Sequence, residues 1–325
     1  MKIDRIFQRE LQRVRRETSH RRNNRRVARI NRAVEQAVPL SPAARPVIFF
    51  NASTRLSGVS LNAAYAQIAG WAVRLSGAPV VRFVCESGMS RCVLGTERDN
   101  PSAPPPCGPC IAQSRALYAG QDVRWFRFNP DAELERAIAA FDVDALSNFH
   151  YHGVPLGQII LPALRWVLRR HHFADNEANR FLYRQYILSA WGIYNQFNAL
   201  LEETNAQAVV VFNGQFYPEA TARYAAQQRG LRVISHEVGL MPYSGYFTAG
   251  EATAYPIDIP ESFELSAEQN ARLDAYLEKR MQGNFSMAGV RFWPEMRPLE
   301  PAFWERAAQF QQIVPVFTNV VFDTS

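Results

Sequence analysis

Residues 208–239, AVVVFNGQFYPEATARYAAQQRGLRVISHEVG, leave the chain few folds to choose from. Residues 208–212 form a short valine-rich run, the pattern of a strand buried on both faces. Asn213-Gly214 interrupts it. Pro218 and Glu219 then suit the first turn of a helix, where a missing N–H costs nothing and a carboxylate meets the helix dipole. Gly230 is placed to end that helix. Residues 231–235 make a second apolar run, closed by His236-Glu237. Strand, helix and strand in this order imply parallel pairing with a right-handed crossover. Ligands of such sheets bind beyond the carboxyl ends of the strands, where Asn213-Gly214 and His236-Glu237 are expected.

The same pattern recurs. Apolar runs at 47–50, 80–84, 123–128 and 313–318 are each followed by polar residues, among them Asn51, Cys85-Glu86, Asn129 and Asn319. Asn and Ser also cap helices and start turns, so no single instance marks a site. Together they predict an α/β fold: a Rossmann-like, mostly parallel sheet flanked by helices, with one polar rim. No apolar run is long enough to span a membrane, and the amino terminus lacks the apolar core of a secretory signal. A cytoplasmic chain with reduced cysteines is the expectation.

The net charge of +6 is concentrated in one place. Residues 1–36 hold 12 Lys or Arg against four acids, which leaves the rest of the chain slightly acidic. A body-wide nucleic-acid footprint is thereby disfavoured. Ile3, Phe7, Leu11 and Val14 make one helical stripe, and Val27, Ile30 and Val34 make another beyond a polar break at 19–24. Three readings stay open for this basic arm, taken as residues 1–40. It lies on an anionic membrane surface, it packs its stripe on the body, or it binds nucleic acid.

The body is read as residues 41–300. After its first strand, the loop from Asn51 through Ser53, Thr54 and Arg55 to Gly58 leads into a helix from about residue 60. Its hydroxyls, arginine and glycine at a helix start suit a phosphate or sugar hydroxyls. Neither a P-loop nor a GxGxxG fingerprint occurs, so no dinucleotide cofactor is expected. All four cysteines fall in an insert at 85–110, as Cys85-x6-Cys92-x14-Cys107-x2-Cys110. Four thiolates suit a structural tetrahedral zinc. Plain reduced thiols, and redox or iron–sulfur chemistry, remain alternatives, since the first spacing is wider than in a standard zinc ribbon. His150 and His152 share a face only if extended, and ordinary hydrogen bonding is their simpler role. Helices are expected over 158–171 and 176–203, an irregular loop over 240–260, and a Ser266-capped helix to about 282. Prolines mark a linker before a short helix from about 302. Residues 301–325 then read as linker and first strand of a second α/β domain that the chain does not complete.

The 208–239 segment, LDAYLEKRMQG at 273–283 and VFTNVVFDTS at 316–325 resemble bacterial capsule and surface-polysaccharide glycosyltransferases of the GT-B type. The likeness is one of pattern over most of residues 47–325. It implies an acceptor-side half of an enzyme that moves a sugar from a nucleotide-sugar donor, held by the missing domain, to a glycan or lipid-linked acceptor. It further implies Glu237 as general base, His236 as its alternative, and Asn213, Gly214 and the Asn51–Gly58 loop as substrate-binding residues. A non-catalytic scaffold tethered at the inner face of the membrane by its basic arm is the rival reading.

Overall fold

The structure of the chain, a computed structural model, describes residues 2–52, 58–239, 241, 243–252, 259–282, 284 and 300–314. The chain divides into two compact units. The first comprises residues 1–237, 247–255 and 322–325; the second comprises 238–246 and 256–321.

The first unit is built on strands β1 (Val47–Asn51), β2 (Val80–Cys85), β3 (Asp122–Phe126), β4 (Ala208–Phe212) and β5 (Arg232–Val238). With β6 (Gly245–Ala249) they form one six-stranded sheet in the order β3-β2-β1-β4-β5-β6. All four pairings from β3 to β5 are parallel. This α/β, Rossmann-like arrangement confirms the expected fold class. Valine and phenylalanine fill β1, β2 and β4 because both faces are covered by helices. On one face Val209, Val211 and Phe50 join the large core of α4 (Ala132–Ile138), α5 (Val143–Ser147), α6 (Leu156–Leu168), α7 (Glu177–Thr204) and α8 (Glu219–Gln228). On the other, Val47, Phe49, Val80, Ala208 and Val210 pack against Ala66 of α2 (Leu61–Leu75).

The basic segment forms one continuous helix, α1 (Lys2–Ala37), with no interruption at 19–24. Its carboxyl-terminal half belongs to the body. Asn31 is fully buried, donates to the carbonyls of Leu117 and Ala119 at 2.9 and 3.0 Å, and accepts from Gln67 and Trp71 at 2.8 and 2.9 Å. Glu35 pairs with Arg74 of α2 at 2.9 Å. Arginines 13, 15, 16, 21, 22, 25 and 26 stay exposed along the helix.

Several boundaries differ from expectation. The Cys107-Gly-Pro-Cys110 segment of the insert is helical, forming the first turn of α3 (Cys107–Leu117). β5 runs through His236 and Glu237 rather than stopping before them. β6 lies inside the stretch read as an irregular loop. The strand expected at 313–318 falls mostly outside the described residues, as do Ser53, Thr54 and Arg55. Within the second unit, α9 (Ala267–Met281) starts with the expected Ser266 cap, reinforced by a reciprocal Gln269 bond. A short α10 (Pro301–Ala307) follows.

Candidate functional site

The strand order places a topological switch between β1 and β4. The helix that follows β1, α2, lies on one face of the sheet, and the helix that follows β4, α8, lies on the other. In this architecture ligands bind at such a switch, beyond the carboxyl ends of the strands. Register fixes what stands there. Val210 pairs with Phe49, and Phe212 pairs with His236, so Asn51, Phe212 and His236 fall in one row at the carboxyl end of the sheet. Asn51, Asn213, Gly214 and the His236-Glu237 pair are the strand-end residues expected on this rim, and the structure brings all five together.

On the α2 side, the His236 ring is 1% exposed and stacks on Phe247 at 5.4 Å, with Phe212 at 5.8 Å. Burial pulls its pKa down to about 4, so the ring is neutral at neutral pH. On the α8 side, one residue on along the strand, Glu237 is half-buried and accepts from Asn213 Nδ2 at 2.9 Å. His236 and Glu237 therefore face opposite ways, as strand alternation demands. Asn213 and Gly214 both have positive φ, +57° and +82°. The turn is fastened by Asn213 N–H to the His236 carbonyl at 2.8 Å, and Asn213 Oδ1 accepts from the Gln215 amide at 3.1 Å. Gly214 is necessary on two counts. Its φ disfavours a side chain, and a Cβ there would lie 2.9 Å from Ser235 Oγ and 3.2 Å from Arg223 Cδ.

Four polar atoms at this rim lack hydrogen-bond partners among the described residues: Asn51 Oδ1, Arg223 Nε, Ser235 Oγ and His236 Nδ1. Asn51, Ser235 and His236 are each under 10% exposed. Buried polar atoms are seldom left this way; by strand alternation Asn51 and His236 stand on the α2 side of the strand ends, and Ser235, beside Gly214 and Arg223, stands on the α8 side. The charges nearby cancel. Arg223 pairs with Glu251 at 2.6 Å, and Gln215 Nε2 donates to the same carboxylate at 2.7 Å. Glu219, buried at the start of α8, has its pKa pushed up to about 8 by burial and is protonated at neutral pH.

Sequence reasoning missed Ser235, Arg223, Glu219 and Gln215. Ser235 sits inside an apolar run and the others on an ordinary-looking helix or loop, so only the tertiary structure gathers them. It also missed His20, whose ring lies against Gly58: a Cβ on Gly58 would stand 3.2 Å from His20 Nε2. Gly58, at φ +73°, closes the loop before Ser60, which caps α2 by accepting from the Ala63 amide.

The remaining candidates lie elsewhere. Cys85, at the end of β2, is followed by Glu86, which pairs with Arg115 and Arg127 at 2.5 Å each. All four cysteines are free thiols. Burial pushes Cys85 up to about 12 and Cys92 up to about 11, the opposite of an activated redox nucleophile. Among the described residues no group of three or more His, Cys, Asp or Glu forms a ready metal-holding set. His150 bonds the Asn148 carbonyl at 2.9 Å, and His152 stacks on Trp191 at 5.6 Å, so both have structural partners.

No protein-family model matches the chain. No curated protein matches it in sequence. Among solved structures, the chain is similar to the zinc-inhibited form of teicoplanin deacetylase Orf2 at 13% identity and a TM-score of 0.29, over 72% of this chain and 83% of that one. A score this low carries no argument about function. The resemblance to GT-B glycosyltransferases is corrected by these comparisons: no family model and no curated protein matches the chain to support it. The pattern that suggested it, apolar strands ending in Asn-Gly or His-Glu, belongs to parallel α/β sheets at large. No helix among the described residues is long and apolar enough to cross a membrane.

Proposed function

We propose that the crevice at the β1/β4 switch binds a hydroxyl-rich, uncharged moiety of sugar size, and that Glu237 acts as a general base on one of its hydroxyls. The observation that carries this reading is the buried polar atoms at this rim that meet no partner among the described residues, from Asn51 and His236 on the α2 side and from Ser235, beside Arg223, on the α8 side. Their chemistry is that of neutral donors and acceptors, which hydroxyl groups satisfy in either sense. A phosphate fits less well here, because the Arg223 guanidinium is already neutralised by Glu251 and His236 is uncharged at neutral pH.

For catalysis, a base must stand within hydrogen-bond reach of the proton it takes. Glu237 fits that role better than His236, since the carboxylate is half-buried and oriented by Asn213, while the imidazole is enclosed between Phe212 and Phe247. Transfer of a sugar to a carbohydrate hydroxyl is one reaction that such a base serves. The test is a thermal-shift and saturation-transfer NMR screen of neutral mono- and disaccharides and nucleotide sugars. Sugars are expected to bind the native protein and to bind more weakly to Asn51→Ala, while Glu237→Gln retains binding and loses turnover. Absence of sugar binding at millimolar concentration would end the proposal.

A second reading is favoured by α1. We propose that its exposed arginines dock the body on an anionic membrane surface while Asn31 and Glu35 hold the helix to the fold. Pelleting with phosphatidylserine vesicles should be strong at low salt and fall steeply at high salt. Equal pelleting with neutral vesicles would contradict it.

A further inference from the structure

On the α2 side of the sheet, Phe49, Val210 and Ile234 pack against Ala66, Ala69 and Val73 of α2. This helix joins the carboxyl end of β1 to the amino end of β2, so its first turn lies at the strand ends. Its level against the strands follows from one contact. The Ala66 carbonyl accepts from the Arg82 guanidinium, which lies over the Phe49 ring. One helical turn back from Ala66, about 6 Å, matches the two residues of strand from Phe49 to Asn51. Asn62 therefore continues the sheet-facing stripe of α2 at the level of Asn51 and His236. Tyr65 lies on the flank of that stripe opposite Ala63. Since Ala63 packs with Val84 of β2, the flank of Tyr65 is the one toward β5.

This layer gathers polar atoms that the fold does not bond. Asn62 Oδ1 and Tyr65 Oη are buried and meet no hydrogen-bond partner among the described residues, as do Asn51 Oδ1 and His236 Nδ1 in the row facing them. Asn51 is 6% exposed and His236 1%. Two atoms from a helix and two from the strand ends beside it form one lining, which costs free energy until a ligand bonds it. Its outer wall is aromatic. Phe247 stacks on His236 with the ring planes 28° apart and stays 43% exposed.

The lining has a definite chemistry. The two carboxamide oxygens only accept, the tyrosine hydroxyl gives or accepts, and a neutral imidazole nitrogen does one or the other by tautomer. Its complement is an uncharged group with N–H donors along one edge, and the aromatic wall favours a flat ring. A sugar supplies hydroxyls but no flat ring; a nucleoside supplies both. We propose that the α2 side of the crevice takes the heteroaromatic base of a nucleoside, with its N–H edge on Asn51, Asn62 and Tyr65 and its face on Phe247. The attached sugar then crosses the strand ends toward Ser235 and Glu237. This inference rests on the sugar-binding reading above and names the class of compound that carries the sugar.

Calorimetric titration of the full chain with adenosine, cytidine and free ribose tests it. Both nucleosides should bind about tenfold or more tightly than ribose, because stacking and further hydrogen bonds add to the same sugar. Tyr65→Phe and, separately, Asn62→Ala each delete one lining atom. Each should weaken nucleoside binding about threefold or more, with circular dichroism unchanged and the melting temperature unchanged or raised. Nucleosides that bind no more tightly than ribose would overturn this inference and leave the sugar reading standing, whereas binding of neither nucleosides nor any sugar would remove both. Undiminished nucleoside affinity in both variants, or a lowered melting temperature in both, would show that Asn62 and Tyr65 line no site.

Discussion

In the seam where α1 meets α2 and α3, Asn31 is fully buried and every polar atom of its amide is engaged, by Leu117, Ala119, Gln67 and Trp71. At the carboxyl ends of β1 and β5, by contrast, Asn51, Ser235 and His236 are buried with polar atoms that meet no partner among the described residues. A satisfied buried amide stabilises a fold and fixes how two elements meet; an unsatisfied one costs free energy unless something else bonds it. The seam is not perfect, since Gln67 Oε1, Tyr118 Oη and Arg82 Nε and Nη2 also meet no partner among the described residues. The Arg82 guanidinium is nevertheless laid over the Phe49 ring at 4.5 Å and donates to the Ala66 carbonyl at 3.1 Å. The difference teaches that burial of a polar residue says little about its role, and that the fate of each polar atom says a good deal.

The largest effect expected from breaking this contrast is in the seam. Asn31→Leu leaves two carbonyls and two side-chain donors without partners and should cost about 3–5 kcal/mol in urea unfolding. A loss within error would mean that α1 is dispensable to the body. Next comes Gly70→Ala. A methyl group there collides with the buried Arg82 guanidinium, and about 2–3 kcal/mol should be lost. Part of that loss should be recovered in the Gly70→Ala, Arg82→Met double variant, and a double-mutant cycle with no coupling would contradict the packing described.

The pH dependence of stability sharpens the rim side. The folded pKa of Glu219 is raised to about 8, so between its ordinary carboxylate range and about 8 the native state holds a proton that the unfolded state has lost. Stability from this group therefore falls as pH rises through that window. His236 works the other way. Its folded pKa of about 4 lies below its unfolded value, so stability falls as pH drops from about 6.5 to about 4. The two slopes oppose each other between about 4.5 and 6.5 and partly cancel. Glu219→Gln should unmask the acid-side loss from His236 and flatten the decline toward pH 8, as read by denaturant melts across the range.

Much of the scaffold is legible in the residues alone, because strand, helix and strand periodicity is local. The spans 208–212, 219–228 and 61–75 fall where valine runs, Gly230 and Ser60 indicate. What cannot be read is long-range. The strand order, and with it the switch between β1 and β4, depends on a crossover of more than eighty residues. β5 outruns its apolar run because His236 finds Phe212 and Phe247 to stack on, and such pairings leave no trace in periodicity. Asn51, Asn213, Gly214 and Glu237 are recognisable as strand-end residues. Ser235 and Arg223 are not, since nothing in the sequence tells that Gly214 lies between them. The resemblance fails for a related reason: it rests on a strand-end pattern that many parallel sheets share.

The contrast between rim and seam is tested most directly by the stability of Ser235→Ala measured beside Asn31→Ala in the same urea titration, without ligand. Because the Ser235 hydroxyl meets no partner among the described residues, removing it should leave stability unchanged or raise it by up to about 1 kcal/mol, whereas Asn31→Ala should lose about 3 kcal/mol. If Ser235→Ala instead loses as much as Asn31→Ala, the rim is a satisfied structural element and the proposed binding crevice loses its basis.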